Sequence, residues 1–339
     1  MLKQAALALA MGLATMAHAA PPYPNTENFG KEVDPKTPWF QACLRVEKIQ
    51  PAATPPVPAS CKAFDYYAKR QQLVASAAEW GGVRACAVAD KNNAVLAMLY
   101  ANGLGVPRNL DLATQYACRA GGAYAEVSGR VEHLQALKKE PPGTPYDQCD
   151  DATSGFMMGV CASVSEGQAD KIRNAYFARL RGQLPAPQIA AFDQLVAATR
   201  AFALAREGET DMTGTGRVAF AVQAEAREKE WLREHLAAFE KGTFKAPEQP
   251  LAAADAELNR IYNAMLAAPS DDANHPTRLP ASTVEKADVR TAQRLWIAYR
   301  DAWVRFAKLR YPALPPETLQ AMLTDWRVKQ FARMWSGAR

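Results

Sequence analysis

Two charged dipeptides, Arg300-Asp301 and Arg206-Glu207, are the first places where this chain could carry out acid–base chemistry. Neighbours along a helix point away from each other, so neither dipeptide is a self-contained catalytic pair. Beyond His18 the histidines are His133, His235 and His275. Glu132-His133 and Glu234-His235 stand among charged neighbours and are expected to face solvent. Asp271-Asp272-Ala273-Asn274-His275 gathers metal-capable atoms but lacks the spacing and the glycine of a calcium loop. Thr153-Ser154-Gly155 is not a nucleophile elbow, because Gly-x-Ser-x-Gly is missing. Gly103-Leu104-Gly105 has no third glycine and no preceding strand, which argues against a dinucleotide fingerprint. Neither HExxH nor a P-loop occurs. These residues assign no catalytic, cofactor or metal site, and the chain reads as a non-enzyme without a cofactor.

The elements that would position such residues read as helices. Ala292, Trp296, Tyr299, Trp303 and Phe306 recur at alternating spacings of four and three, a narrow seam that faces partner helices. An aromatic seam of that period is core packing before it is a carbohydrate platform. A weaker copy, Ala198-x-Arg200-x-Phe202 followed by Arg206-Glu207, keeps the register of Ala292-x-Arg294-x-Trp296 followed by Arg300-Asp301. Ala169-Asp170 with Tyr176 matches Ala254-Asp255 with Tyr262, and Arg217-Val218 matches Arg327-Val328. Helices are expected near 150–162, 167–183, 187–207, 216–241, 251–267, 283–310 and 316–337. Residues 145–339 thus read as an all-α domain made by duplication, with a first copy over 145–245 and a second over 250–339.

Upstream, Ala94, Ala97 and Tyr100 share one helical face, Gly103 and Gly105 end that helix, and Asn109 can cap the next, whose Ala113, Tyr116 and Ala120 face back. This stretch resembles one Sel-like repeat, a relative of the tetratricopeptide repeat, and places a Sel-like helical region over 61–140. Residues 20–60 read as a leader and a first helix, with Pro51 to Pro58 as a proline-rich connection.

Ala254-Asp255-Ala256-Glu257-Leu258-Asn259 with Tyr262, then Ala292-Gln293-Arg294-Leu295-Trp296, Tyr299-Arg300-Asp301 and Thr324-Asp325-Trp326-Arg327, resemble the pattern of the LprI-like lysozyme inhibitor family of exported bacterial proteins. The resemblance covers about 250–332 well and 149–245 as a degenerate copy. It departs from the family in lacking cysteines within the better-matching copy. It implies binding of lysozyme, or of another cell-envelope protein, without catalysis. The matching Asp255, Leu258, Asn259, Tyr262, Gln293, Trp296, Tyr299, Arg300, Asp301 and Arg327 are read as structural. Arg300 and Arg327 are expected to reach Asp255 or Glu257 and lock the helices in register. A helical scaffold for envelope proteins is the competing reading; a cell-wall hydrolase is disfavoured for want of a catalytic constellation.

Lys3, the apolar run Ala5 to Ala14 and Ala17-His18-Ala19 read as an export signal over residues 1–19, too short to span a bilayer. Export to the periplasm or beyond suits the six cysteines, which all lie in the first half and include no CxxC pair. Local loops would be closed by Cys43–Cys61, Cys86–Cys118 and Cys149–Cys161. The formal charge of +5 becomes +4 once Lys3 is removed, and no basic block carries interleaved aromatics, so nucleic acid is set aside as a partner. No later segment is apolar enough for a membrane span. Mass spectrometry of the exported chain is expected to find Ala20 at its N-terminus; a retained Met1 would contradict cleavage.

Overall fold

The computed structural model describes residues 21–54, 56–59, 61 and 77–337. The expected signal, residues 1–19, lies outside them, as do residues 62–76 of the expected repeat region. The chain is all-α, with three disulfides and, among the described residues, no strand beyond one isolated bridge between Arg278 and Glu285.

Among the described residues five helices surround the first core: α1 (Pro38–Val46), α2 (Ala77–Ala89), α3 (Asn93–Asn102), α4 (Leu110–Arg119) and α5 (Tyr124–Leu137). Every residue of α3 from Val95 to Ala101 is buried, which marks a helix enclosed on all sides. The Asn92 side chain accepts from the Val95 amide at its start, and Gly103 ends it with φ 69°. Gly105 also has positive φ, and a Cβ there would sit 2.6 Å from that of Trp80, so conformation and close approach both require glycine. Asn109 caps α4 by accepting from the amides of Asp111 and Leu112, as the sequence indicated. Tyr100 and Tyr116 then stack at 5.5 Å across the α3–α4 contact.

Two of the three expected disulfides are corrected. Cys43 joins Cys118, across 75 residues, and Cys61 joins Cys86. Only Cys149–Cys161 is paired as expected. The reason is packing: α1 lies against α4, so Cys43 faces Cys118 and not its neighbour in sequence. The Gln115 amide fixes the same contact by donating to the carbonyls of Val46, Glu47 and Ile49, each at 2.8 Å.

Six helices make the second core: α6 (Gly155–Gly182), α7 (Ala186–Ala205), α8 (Arg217–Glu240), α9 (Leu251–Ala267), α10 (Lys286–Arg310) and α11 (Pro316–Gly337). The two helices expected over 150–162 and 167–183 are one continuous helix, α6, whose interior Gly167 meets nothing within 4 Å. A solvated glycine costs about 1 kcal/mol in a helix and does not end it. The packing pattern repeats: α6 lies on α8, α9 lies on α11, and the middle helices α7 and α10 pair with each other. Asp170 of α6 bonds Lys229 of α8, and Asp255 of α9 bonds Thr324 of α11, so each of these two acidic residues faces the helix its own helix lies on. The Arg217–Arg327 match is not preserved, since Arg217 opens α8 while Arg327 lies midway along α11.

The α10 seam is core. Ala292, Trp296, Tyr299, Trp303 and Phe306 are each at most 2 % exposed. Tyr299 stacks on Phe202 at 5.6 Å, Phe306 meets Phe192 at 5.5 Å, and the Trp303 indole donates to the Tyr299 hydroxyl at 3.0 Å. Between the two cores, the buried Glu126 of α5 accepts from the amides of Thr153 and Ser154, just ahead of α6. Burial opposes ionisation of Glu126, but the hydrogen bonds from Ser154 and Thr153 outweigh it and hold its carboxyl below the usual range.

Peptide mapping without reduction is expected to recover Cys43–Cys118, Cys61–Cys86 and Cys149–Cys161. Removing the first bridge by a paired Cys→Ala change should cost about 4 kcal/mol, given the long loop it closes. Recovery of Cys43–Cys61 would contradict the packing of α1 on α4.

Candidate functional site

After α7 the chain tightens into a 3-10 turn, Arg206–Glu209, which directs two side chains inward. There they meet Glu228 of α8 and Arg327 of α11. Arg327 is fully buried and grips Glu209 through two contacts, at 2.5 and 2.9 Å. Its Nε donates to Gln293 of α10 at 3.0 Å, and a terminal nitrogen reaches Gln330 at 2.8 Å. Gln330 in turn donates to Glu228 at 2.6 Å. Arg206 pairs with Glu209 and, at 3.2 Å, with Glu228, whose other oxygen accepts from the Trp326 indole at 3.3 Å. The Arg327 guanidinium also lies over the rings of Phe331, at 4.1 Å, and Phe202, at 5.2 Å.

The electrostatics follow from enclosure. Burial pushes the Glu228 carboxyl up, with Arg206 and Arg327 opposing it. Burial likewise lowers Arg327, with Glu209 opposing. For Arg206 burial also works against the charge, but Glu209 and Glu228 together outweigh it and raise its pKa. The network ties the turn after α7 to α8, α10 and α11, and Arg206, Glu209, Glu228 and Gln330 also border a hollow beside Trp326.

The residues singled out by sequence divide accordingly. Leu258, Trp296, Tyr299 and Arg327 are buried, and Tyr262 stacks on Phe331 at 5.8 Å. Gln293 joins the network, while Asn259 is exposed on α9. Arg300 lies 4.0 Å from Asp255, 3.6 Å from Asp301, and 5.1 Å above the Trp296 ring. The expected bond from Arg327 to Asp255 or Glu257 is corrected: its partner is Glu209, and Glu257 pairs with Arg260 of its own helix. Arg206 bonds Glu209 and Glu228, and Glu207 instead meets Glu225. Glu209, Glu228 and Gln330 went unmarked in the sequence, because nothing in a local pattern shows where a 3-10 turn aims its side chains.

Two histidines depart from the expectation of solvation. His133 bonds Asp151 at 3.0 Å and meets the Tyr146 ring edge-on. His235 stacks on Trp231 at 3.6 Å, with its Nδ1 donating to the Trp231 carbonyl at 2.8 Å. Among the described residues no group of three or more His, Cys, Asp or Glu could hold a metal ion. No helix there is long and apolar enough to cross a membrane.

Open space flanks Trp326. One hollow of about 370 Å³ lies between α8, α11 and the 243–248 segment. Another of about 600 Å³ lies on its other side, bounded by Thr210, Asp211, Phe220 and Val284. The loops that bound it are joined, since Thr283 donates to Asp211 at 3.0 Å and receives the Met212 amide at 2.6 Å.

Residues 240–330 match the family described as Lysozyme inhibitor LprI, a little over a quarter of the chain. The match spans α9, α10 and most of α11, and contains Gln293 and Arg327 of the network. No curated protein and no solved structure matches the chain.

Replacing Arg327 with Leu strands Glu209 in the core and should cost about 3–5 kcal/mol in chemical denaturation. Arg300→Leu, which loosens a partly exposed pair, should cost about 1 kcal/mol or less. Burial lowers the pKa of His235, so its neutral form is favoured by the fold. The unfolded chain then binds more protons, and the contribution is present above about pH 6.5 and lost as pH falls toward the folded pKa. His235→Phe is expected to flatten the drop in melting temperature across that window.

Proposed function

We propose that the protein is an exported, non-catalytic binding module that engages and inhibits lysozyme. The match of residues 240–330 to an inhibitor family carries this reading. It is supported by charged side chains that are spent on cohesion, Arg327 and Glu209 above all. The contact surface we infer comprises the loops Thr210 to Gly216 and Ala268 to Pro280, since contact residues commonly sit on loops. Met212, Val218 and Phe220, each at least 40 % exposed, supply apolar anchors beside them.

Many lysozymes are cationic, and a chain of net charge +4 after signal removal would gain no long-range steering toward one. Docking would rest on local shape and apolar contact. A second reading, a periplasmic scaffold for envelope proteins, draws on the α3–α4 pair with its Gly103 turn and Asn109 cap.

The test is a lysozyme activity assay with the purified chain beginning at Ala20. Inhibition at micromolar concentration is expected, with little loss between low and physiological salt. Phe220→Asp should weaken it at least about tenfold, or ~1.4 kcal/mol. No inhibition at micromolar excess would remove this function and leave the scaffold; peptidoglycan cleavage by the chain alone would make it a hydrolase.

A further inference from the structure

The network accounts for the Trp326 indole nitrogen but not for the surroundings of its ring. Trp326 is half-buried between the two hollows, and its nitrogen is held by Glu228. Trp231 stacks against it at 5.9 Å with planes 23° apart, and His235 stacks on Trp231 in turn. The guanidinium of Arg227 lies 5.5 Å from the Trp326 ring centre. Phe244 closes the far end of the smaller hollow and is fixed by stacking on Phe239 at 4.5 Å. Four rings thus line one hollow; Trp231, 4 % exposed, stacks on both His235 and Trp326, and these two with Phe244 are the more open rings.

The polar lining is mixed. Glu234, Glu248 and Asp325 face the same space as Lys245 and Lys329. This near balance disfavours a polyanion such as nucleic acid, which needs a run of cations. Charges around the opening disfavour an acyl chain. One oxygen of each carboxylate is drawn to a different partner, Asp325 to Gln249 at 2.6 Å, Glu248 to Lys329 at 3.6 Å and Glu234 to Arg227 at 3.6 Å, which leaves no shared focus for a cation. Since Nδ1 of His235 is taken by a carbonyl, Nε2 is its remaining hydrogen-bonding atom. Flat apolar faces beside carboxylate, ammonium and imidazole groups fit a ring with apolar C–H faces and hydroxyls at its edge. About 370 Å³ is at the small end of the ~300–1,000 Å³ typical of ligand sites.

We propose that the hollow formed by Trp231, His235, Phe244 and Trp326 is a binding site for a β-linked oligosaccharide. A sugar ring lies against the aromatic wall while Glu234, Asp325 and Lys329 bond its hydroxyls. The hollow beyond Trp326 gives a second unit of the chain somewhere to continue. The aromatic hollow itself shares no lining residue with the loops assigned to lysozyme, while the hollow beyond Trp326 borders Thr210, Asp211 and Phe220, and sugar binding is proposed without reference to inhibition.

The probes are chitotetraose, which carries N-acetyl groups, and cellotetraose, which does not; calorimetry on the intact chain gives their affinities. A dissociation constant of about 1 mM or tighter is expected for at least one of them. Preference for chitotetraose would assign amino-sugar glycans, and equal affinity would assign β-linked glucans as well. Trp326→Ala should weaken binding at least about tenfold, and Trp326→Phe should retain most of it, with melting curves confirming that both fold. A Glu234→Ala, Lys329→Ala pair, changed only at the rim, should weaken it severalfold while leaving stability unchanged. Failure of both sugars to bind at about 10 mM, or binding that survives Trp326→Ala and the rim pair alike, would overturn the site. Lysozyme inhibition is read in a separate assay, so failure there would leave this outcome untouched.

Discussion

The Arg327–Glu209 contact is the constraint around which the second half is arranged. It joins the turn after α7 to the middle of α11, and Gln293, Gln330, Arg206 and Glu228 draw in α10 and α8. Both side chains of the central pair are 0 % exposed, so each charge is tolerable only in the presence of the other. Hydrophobic burial along the α10 seam supplies driving force but little register, because aromatic surfaces can slide over one another. The bidentate fork accepts one geometry and fixes how the two sets of three helices meet.

In this arrangement the residues that look chemical are bonded to one another. Arg206, Arg327 and Glu228 are perturbed by burial, which in many proteins marks an active site. Here each of the three bonds another member of the same network, and Arg206 and Glu228 also border the hollow beside Trp326. The surfaces the network holds in place include the joined segments near Asp211 and Thr283 and the aromatic hollow next to Trp326, where binding is proposed. Trp326 belongs to both worlds, with its nitrogen in the core and its ring at the surface.

Much of the architecture was legible in the sequence because its signals are local. The expected ranges 251–267 and 316–337 coincide with α9 and α11, and the alternating spacing from Ala292 to Phe306 named the buried face of α10. Asn109 declared its cap by standing just before an amphipathic run. What failed was long-range. Cys43 bonds Cys118 because α1 and α4 pack together, a fact absent from the spacing of cysteines. Glu209 was passed over for Glu207, its neighbour but one, since the inward residue of a 3-10 turn depends on where the turn sits. His235 looked solvated among charges, yet Trp231, one turn before it, offered a ring to stack on.

The central claim is that Arg327 and Glu209 act as one unit of cohesion. A double-mutant cycle of Arg327→Met and Glu209→Met, followed by chemical denaturation, measures that directly. Each single change should cost about 3–5 kcal/mol, because it leaves a buried charge alone. The double change should cost less than the sum by at least ~2 kcal/mol, since no unpaired charge remains. Additive costs, or single changes worth less than about 1 kcal/mol, would contradict the account.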